Sequence, residues 1–299
     1  MTDFELILPG GTAAIRLDFG AFLVVGDDAV RWEALGIAVA VLAGIVWAAL
    51  AAGRTPAHED WIGGAAEKEA MVDGPWHLRR DDLLFIVLGA VPGAVVVGRA
   101  AYGLVHLGYY AELPGALLDP ALGGLSLTGA VVGGTLTGVY VAALLDAPVS
   151  RWLHVAIGPV LLAIGLGKAA LVLGGSGQGA PSDLPWAVAF VGPGPWGSLD
   201  PATPAHPSQL YEAVATMLVL LVVLIVGRLT TLRRDDGRLY AAGIGLWALA
   251  RAAVAVTWRD PAVLGPLGTE QLLCLGLAAV AFGSLVLSSV LARRRVLLG

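Results

Sequence analysis

The sequence predicts an all-α, polytopic membrane protein of about seven transmembrane helices, with the N-terminus outside and the C-terminus cytoplasmic. Three observations carry that reading. Only 14% of the 299 residues are charged and 57% are hydrophobic, with a mean hydropathy of +0.80, whereas a soluble domain is about 25% charged. Apolar runs of about 20 residues recur along the chain, enough to cross a hydrocarbon core of roughly 30 Å, where backbone groups must pair within a helix. Lys and Arg collect in alternate connections, as the positive-inside rule requires.

The first 30 residues are acidic and mixed, with no basic stretch leading into an apolar core, so no cleavable signal peptide is expected. Helices are predicted near 33–53, 83–107, 124–146, 153–174, 210–228, 238–257 and 269–291. They form a single transmembrane domain. The connection 54–82 holds Arg54, Lys68, Arg79 and Arg80 and reads as a cytoplasmic linker. Residues 108–123 hold no Lys or Arg. The third and fourth spans are glycine-rich (Gly129, Gly133, Gly134, Gly138; Gly158, Gly165, Gly167), a composition that lets helices approach closely in lipid. Arg151 marks the next inner link. The stretch 175–211 has no Lys or Arg and is rich in Gly, Pro and Trp, with Trp186 and Trp196, so it reads as an extracytoplasmic loop on the outer leaflet. Arg228, Arg233, Arg234 and Arg238 follow the fifth span, and Arg293, Arg294 and Arg295 end the chain on the inner side.

The net charge of −5 comes with no basic stripe, which excludes nucleic acid as a partner. The single cysteine, Cys274, lies in an apolar run, so no intrachain disulfide is possible and a buried, inert thiol is expected. No internal repeat or pair of broken helices suggests a transporter, and no glycine-rich phosphate loop is present.

Ionisable residues inside spans are functional candidates by default. Arg99, Lys168 and Arg251 each lie late in a helix that runs outward; Glu33, Thr128 and Glu212 each lie near the outer start of a helix, Glu212 shortly after His206. Six helices thus bring polar groups to one level in the outer half of the bilayer. The plainer explanation is that each long side chain reaches for the interface separately. Taken together, three cations at one depth suit an anionic ligand. Arg holds a phosphate by two parallel hydrogen bonds, and the commonest phosphate at that depth is a lipid headgroup.

The run His206-Pro207-Ser208-Gln209-Leu210-Tyr211-Glu212 resembles the most characteristic segment of the bacterial prolipoprotein diacylglyceryl transferases. Pro181-Ser182-Asp183-Leu184-Pro185-Trp186, Arg31-Trp32, Gly98-Arg99 with Tyr102, Gly123-Gly124-Leu125-Ser126 and Arg251 also match in order and spacing, over roughly residues 28–275. Other positions differ. The family's tyrosine after Arg-Trp is Glu33 here, its histidine near the start of the third span is Thr128, the arginine and asparagine of its fourth-span signature are Lys168 and Leu171, and its glutamate one turn beyond the sixth-span arginine is Ala255.

The resemblance implies a seven-span protein of the bacterial plasma membrane. It transfers a diacylglyceryl group from phosphatidylglycerol to the lipobox cysteine of a prolipoprotein and needs no cofactor or metal. Arg251, Arg99 and Lys168 would meet the phosphate, with Thr128, Gln209, Tyr211 and Glu212 lining the substrate site. With Thr128 in place of the histidine, Glu33 and His206 are the candidates for the base, and His206 has an equally good structural role in pinning the loop. Two alternatives stand beside this reading: a chain on the same scaffold that binds lipid or precursor without turnover, and a transferase with another acceptor.

Overall fold

The computed structural model describes residues 14–55, 77–119, 124–229 and 236–298, with side chains to 290. Within these residues it is mostly helical, and seven helices are long and apolar enough to cross a membrane. They are α1 (Trp32–Ala52), α2 (Arg80–Val105), α3 (Leu127–Leu144), α4 (Val149–Ala170), α5 (Ser208–Leu229), α6 (Arg238–Val254) and α7 (Thr269–Leu298). All seven predicted spans are present, displaced by a few residues at their ends. Short 3₁₀ turns carry α4 on to Leu173 and α6 on to Thr257. Most of the predicted linker, 56–76, lies outside the described residues.

Large apolar side chains such as Val39, Leu88, Val96, Leu136, Leu218 and Val280 are exposed along the helices. In water such a surface would be costly; facing lipid tails, it matches its solvent.

The chain divides into two compact units, Met1–Ile45 with Gly158–Leu224 and Leu249–Leu272, and Val46–Ile157 with Ile225–Ala248 and Leu273–Gly299. In the second unit α2 and α3 pack with backbones in near contact. A Cβ on Gly133 would strike the carbonyl oxygen of Gly93, and one on Gly93 would strike Thr137. This is the small-residue packing that the glycines of the third span predict. Ala48, Ala52, Leu78, Leu83, Trp152 and Val155 form an apolar core in the same unit.

The first unit holds structure that the helical pattern does not announce. β1 (Ile15–Leu17) pairs in parallel with β4 (Val188–Phe190), β2 (Phe22–Val25) forms a hairpin with β3 (Asp28–Arg31) leading into α1, and β5 (Ala262–Leu264) with β6 (Leu267–Gly268) leads into α7. The long loop is an ordered fold of its own. Ala187 to Phe190 are buried, the Gln178 amide donates to the Val188 carbonyl at 2.7 Å, and the Trp196 ring packs 4.9 Å from Phe190 and 5.3 Å from Phe19. Trp186, by contrast, is exposed.

Candidate functional site

Three strands of backbone converge at the start of α5. The amide of Gly179 donates to the His206 carbonyl at 2.8 Å, the amide of His206 to Ala180 at 3.0 Å, and the amide of Ala180 to Thr257 at 2.8 Å. The Ser208 and Thr257 hydroxyls meet at 2.7 Å, and Arg259 Nε donates to the Gly179 carbonyl at 2.6 Å. A Cβ on Gly179 would collide with Ser208, His206 and the Thr257 carbonyl, so only glycine fits where the three segments cross. The junction fixes the first turn of α5 against the end of α6.

That turn and the one after it present Gln209 and Glu212 on one face of the helix, three residues apart. Glu212 Oε2 lies 2.5 Å from Lys168 Nζ on α4, and Glu212 Oε1 accepts from Arg251 Nη1 on α6. Arg251 Nη2 reaches Glu270 Oε1 at 3.1 Å in the first turn of α7, and the guanidinium lies 4.5 Å from the centre of the Trp258 ring. Glu212, Arg251 and Glu270 are all buried. An ion-pair cluster of this kind is stable out of water only because each charge has partners of opposite sign. Gln209 is also buried, yet neither its amide nitrogen nor its amide oxygen has a hydrogen-bond partner among the described residues.

Two other expected site residues of the first unit lie in their own settings. Glu33 Oε1 pairs with Arg31 Nε at 2.7 Å, while Oε2 is buried against Gly174 without a hydrogen-bond partner among the described residues. His206 Nδ1 lies 3.5 Å from the Tyr211 hydroxyl, which accepts from Trp186 Nε1 at 2.7 Å. The backbone of His206 also takes part in the Gly179 junction.

Arg99 and Thr128 belong to the second unit. Arg99 turns its guanidinium onto backbone carbonyls. Nε donates to Leu117 and Nη1 to Gly124, each at 2.8 Å; Nη2 donates to Ala116 at 2.8 Å and to Asp119 at 3.0 Å. Four of the five N–H donors of an arginine are thereby used, so holding a phosphate by two parallel hydrogen bonds would require Arg99 to release at least one carbonyl. Thr128 is buried, its hydroxyl 3.3 Å from the Sγ of Cys274, which is fully buried. Gly123 of the matched segment falls outside the described residues.

Glu270 and Trp258, both on Arg251, were not among the residues singled out from sequence. Glu270 opens the last apolar span as Glu33 opens the first, so the criterion that selected Glu33 also selects it. Among the described residues no group of three or more His, Cys, Asp or Glu side chains has the arrangement of a metal site.

The family model for prolipoprotein diacylglyceryl transferase matches residues 20–287. The chain is similar to the phosphatidylglycerol–prolipoprotein diacylglyceryl transferase of Geobacter sulfurreducens, 32% identical over 73% of this chain and 82% of the relative. It is similar to that of Gluconacetobacter diazotrophicus, 31% identical over 92% of this chain and 91% of the relative. It is similar as well to that of Nitratidesulfovibrio vulgaris, 34% identical over 74% and 80%. By the extent of these matches, the chain belongs to the prolipoprotein diacylglyceryl transferase family.

Proposed function

We propose that this protein transfers a diacylglyceryl group from phosphatidylglycerol to the lipobox cysteine thiol of a prolipoprotein, forming a thioether and releasing glycerol phosphate. The observation that carries the reading is the pairing of partly buried Lys168 and buried Arg251 around Glu212, in a chain of this family. Two cations held at one point out of water are suited to a phosphodiester whose charge grows as it leaves. Arg251 supplies a planar fork and Lys168 a point charge.

The chemistry needs a thiolate, because the thiol is a poor nucleophile. The S–H proton passes to a base, and the sulfur electron pair forms the new bond to the glycerol carbon that carries the phosphate. The carbon–oxygen pair departs with the phosphate. Glu33 Oε2, buried and without a partner among the described residues, is the acceptor we assign to that proton, with His206 as the second candidate. Gln209, Tyr211 and Thr128 are assigned to the substrate site. Arg99 is assigned to the substrate phosphate, through the guanidinium donor left over from its four carbonyl contacts.

In this reading the protein resides in the bacterial plasma membrane with its N-terminus and residues 175–211 outside. The absence of Lys and Arg from 175–211 supports that orientation. Arg16, Arg31 and Arg259 also fall on the outer side; Arg31 and Arg259 are engaged locally, by Glu33 and by Gly179.

One observation favours a second reading, binding of lipid or precursor without turnover: Lys168 and Arg251 are both paired with carboxylates. The deciding experiment is the purified protein in detergent, assayed with phosphatidylglycerol and a lipobox peptide. Thioether formation establishes the transferase. Lipid binding without thioether establishes the second reading.

A further inference from the structure

Among Lys168, Arg251, Glu212 and Glu270 the charges balance, two positive and two negative. A phosphodiester placed on these cations adds a third negative charge to a buried cluster that holds two positive ones. At low effective dielectric such an excess is expensive. The site therefore takes a phosphate ester only if a carboxylate yields its place.

Glu270 is poorly suited to yield. It lies in the first turn of α7, where the positive end of the helix dipole favours a carboxylate. Glu212 lies beyond the first turn of α5 and touches both cations, so its movement frees a donor on each. It also has a destination. Helical side chains lean toward the helix N-terminus, over the residues three and four positions earlier. Three positions before Glu212 is Gln209, whose buried amide nitrogen is a donor without a partner among the described residues. An unmade hydrogen bond on a buried amide is costly, and the Glu212 carboxylate, one turn away on the same helix face, is an acceptor that would remove that cost.

We propose that Glu212 is a movable counter-ion: a phosphate ester takes over Lys168 and Arg251, and the displaced carboxylate turns back one helical turn onto the Gln209 amide. This rests on the phosphate-binding part of the reading above and adds two residues that set the affinity, with opposite signs. Glu212 competes with the ligand for its cations, whereas Gln209 assists the ligand by receiving the competitor.

The test is equilibrium binding in detergent without peptide, so that it is independent of turnover, with two probes: dioleoyl phosphatidylglycerol in mixed micelles, and inorganic phosphate. Glu212→Gln is expected to bind about tenfold more tightly than the wild type, the scale of one charged hydrogen bond no longer contested. Gln209→Met is expected to bind several-fold more weakly, the scale of a hydrogen bond to a charged group. The double variant should match Glu212→Gln, because no carboxylate then needs the amide. Tightening toward both probes puts the exchange on the phosphate group itself; tightening toward the lipid alone puts it on the whole headgroup. Weaker or unchanged binding by Glu212→Gln, or wild-type binding by Gln209→Met, overturns the proposal. Infrared difference spectra of wild-type protein carrying ¹³C-labelled Glu provide a check that needs no variant. Adding the lipid should shift a carboxylate band, and a spectrum unmoved by the lipid also overturns it. If the transfer assay gives no product while these binding signs hold, the transferase reading fails and the counter-ion exchange stands.

Discussion

Arg251 and Glu270 meet at 3.1 Å between α6 and α7, and this contact gives the guanidinium a second carboxylate beside Glu212. With Trp258 on one face of the guanidinium, Arg251 is fixed from three sides. Removing one partner of a buried pair leaves the other charge uncompensated, at a cost of about 3–5 kcal/mol. Glu270→Ala is therefore expected to lower the thermal unfolding midpoint clearly and to reduce turnover. Glu270→Gln, which keeps an acceptor, should be milder on both measures. Equal effects of the two variants would contradict the positioning of Arg251 by Glu270.

Arg251→Ala removes the planar fork. Phospholipid binding or turnover should fall by roughly tenfold or more, the scale of a charged hydrogen bond worth about 1.5–3 kcal/mol. A folded, membrane-inserted variant with wild-type binding and rate would remove Arg251 from the phosphate site.

Arg99→Lys tests a different role. Lysine keeps the charge but cannot reach the carbonyls of Leu117, Gly124, Ala116 and Asp119 together as the arginine fork does. The variant should be destabilised by about 2 kcal/mol or more, with faster proteolysis in 113–119. An Arg99→Lys protein as stable as the wild type would show that the clasp is dispensable.

The base is tested by rate. Glu33→Gln preserves shape and removes the carboxylate, and loss of a general base should slow turnover by about 10²–10⁴-fold. If Glu33→Gln turns over normally while His206→Asn is inactive, the proton goes to His206.

Orientation is tested by labelling. Leu199 is 92% exposed in the long loop, and Asp236 is exposed two residues before α6. Because Cys274 is buried, Leu199→Cys and Asp236→Cys are each expected to be the reactive thiol of its variant. Impermeant reagent should label residue 199 from outside and residue 236 from the cytoplasm. The reverse pattern would invert the assignment.

The seven helices were legible because a bilayer sets their length, and runs such as Trp32–Ala52 announce it by composition alone. The strands were not. Each has two to four residues, too few for an alternating pattern to register, and β1 finds β4 more than 170 positions away. The candidate site was legible in part. Lys168, Glu212 and Arg251 stand out as charges inside apolar runs, and the structure brings those three together. The engagement of Arg99 was invisible because its partners are backbone carbonyls, which no side-chain pattern reveals. The isolation of the Gln209 amide was equally hidden, since a residue's lack of a partner is a property of its surroundings in space.

The depth of Cys274 has a consequence for a protein whose proposed reaction alkylates sulfur. An accessible thiol of the protein's own beside that reaction would be a competing acceptor, and a thioether once formed there is not readily reversed. The chain carries one thiol, and that thiol is enclosed completely, with the Thr128 hydroxyl against its sulfur. The protein thereby excludes itself from its own list of acceptors.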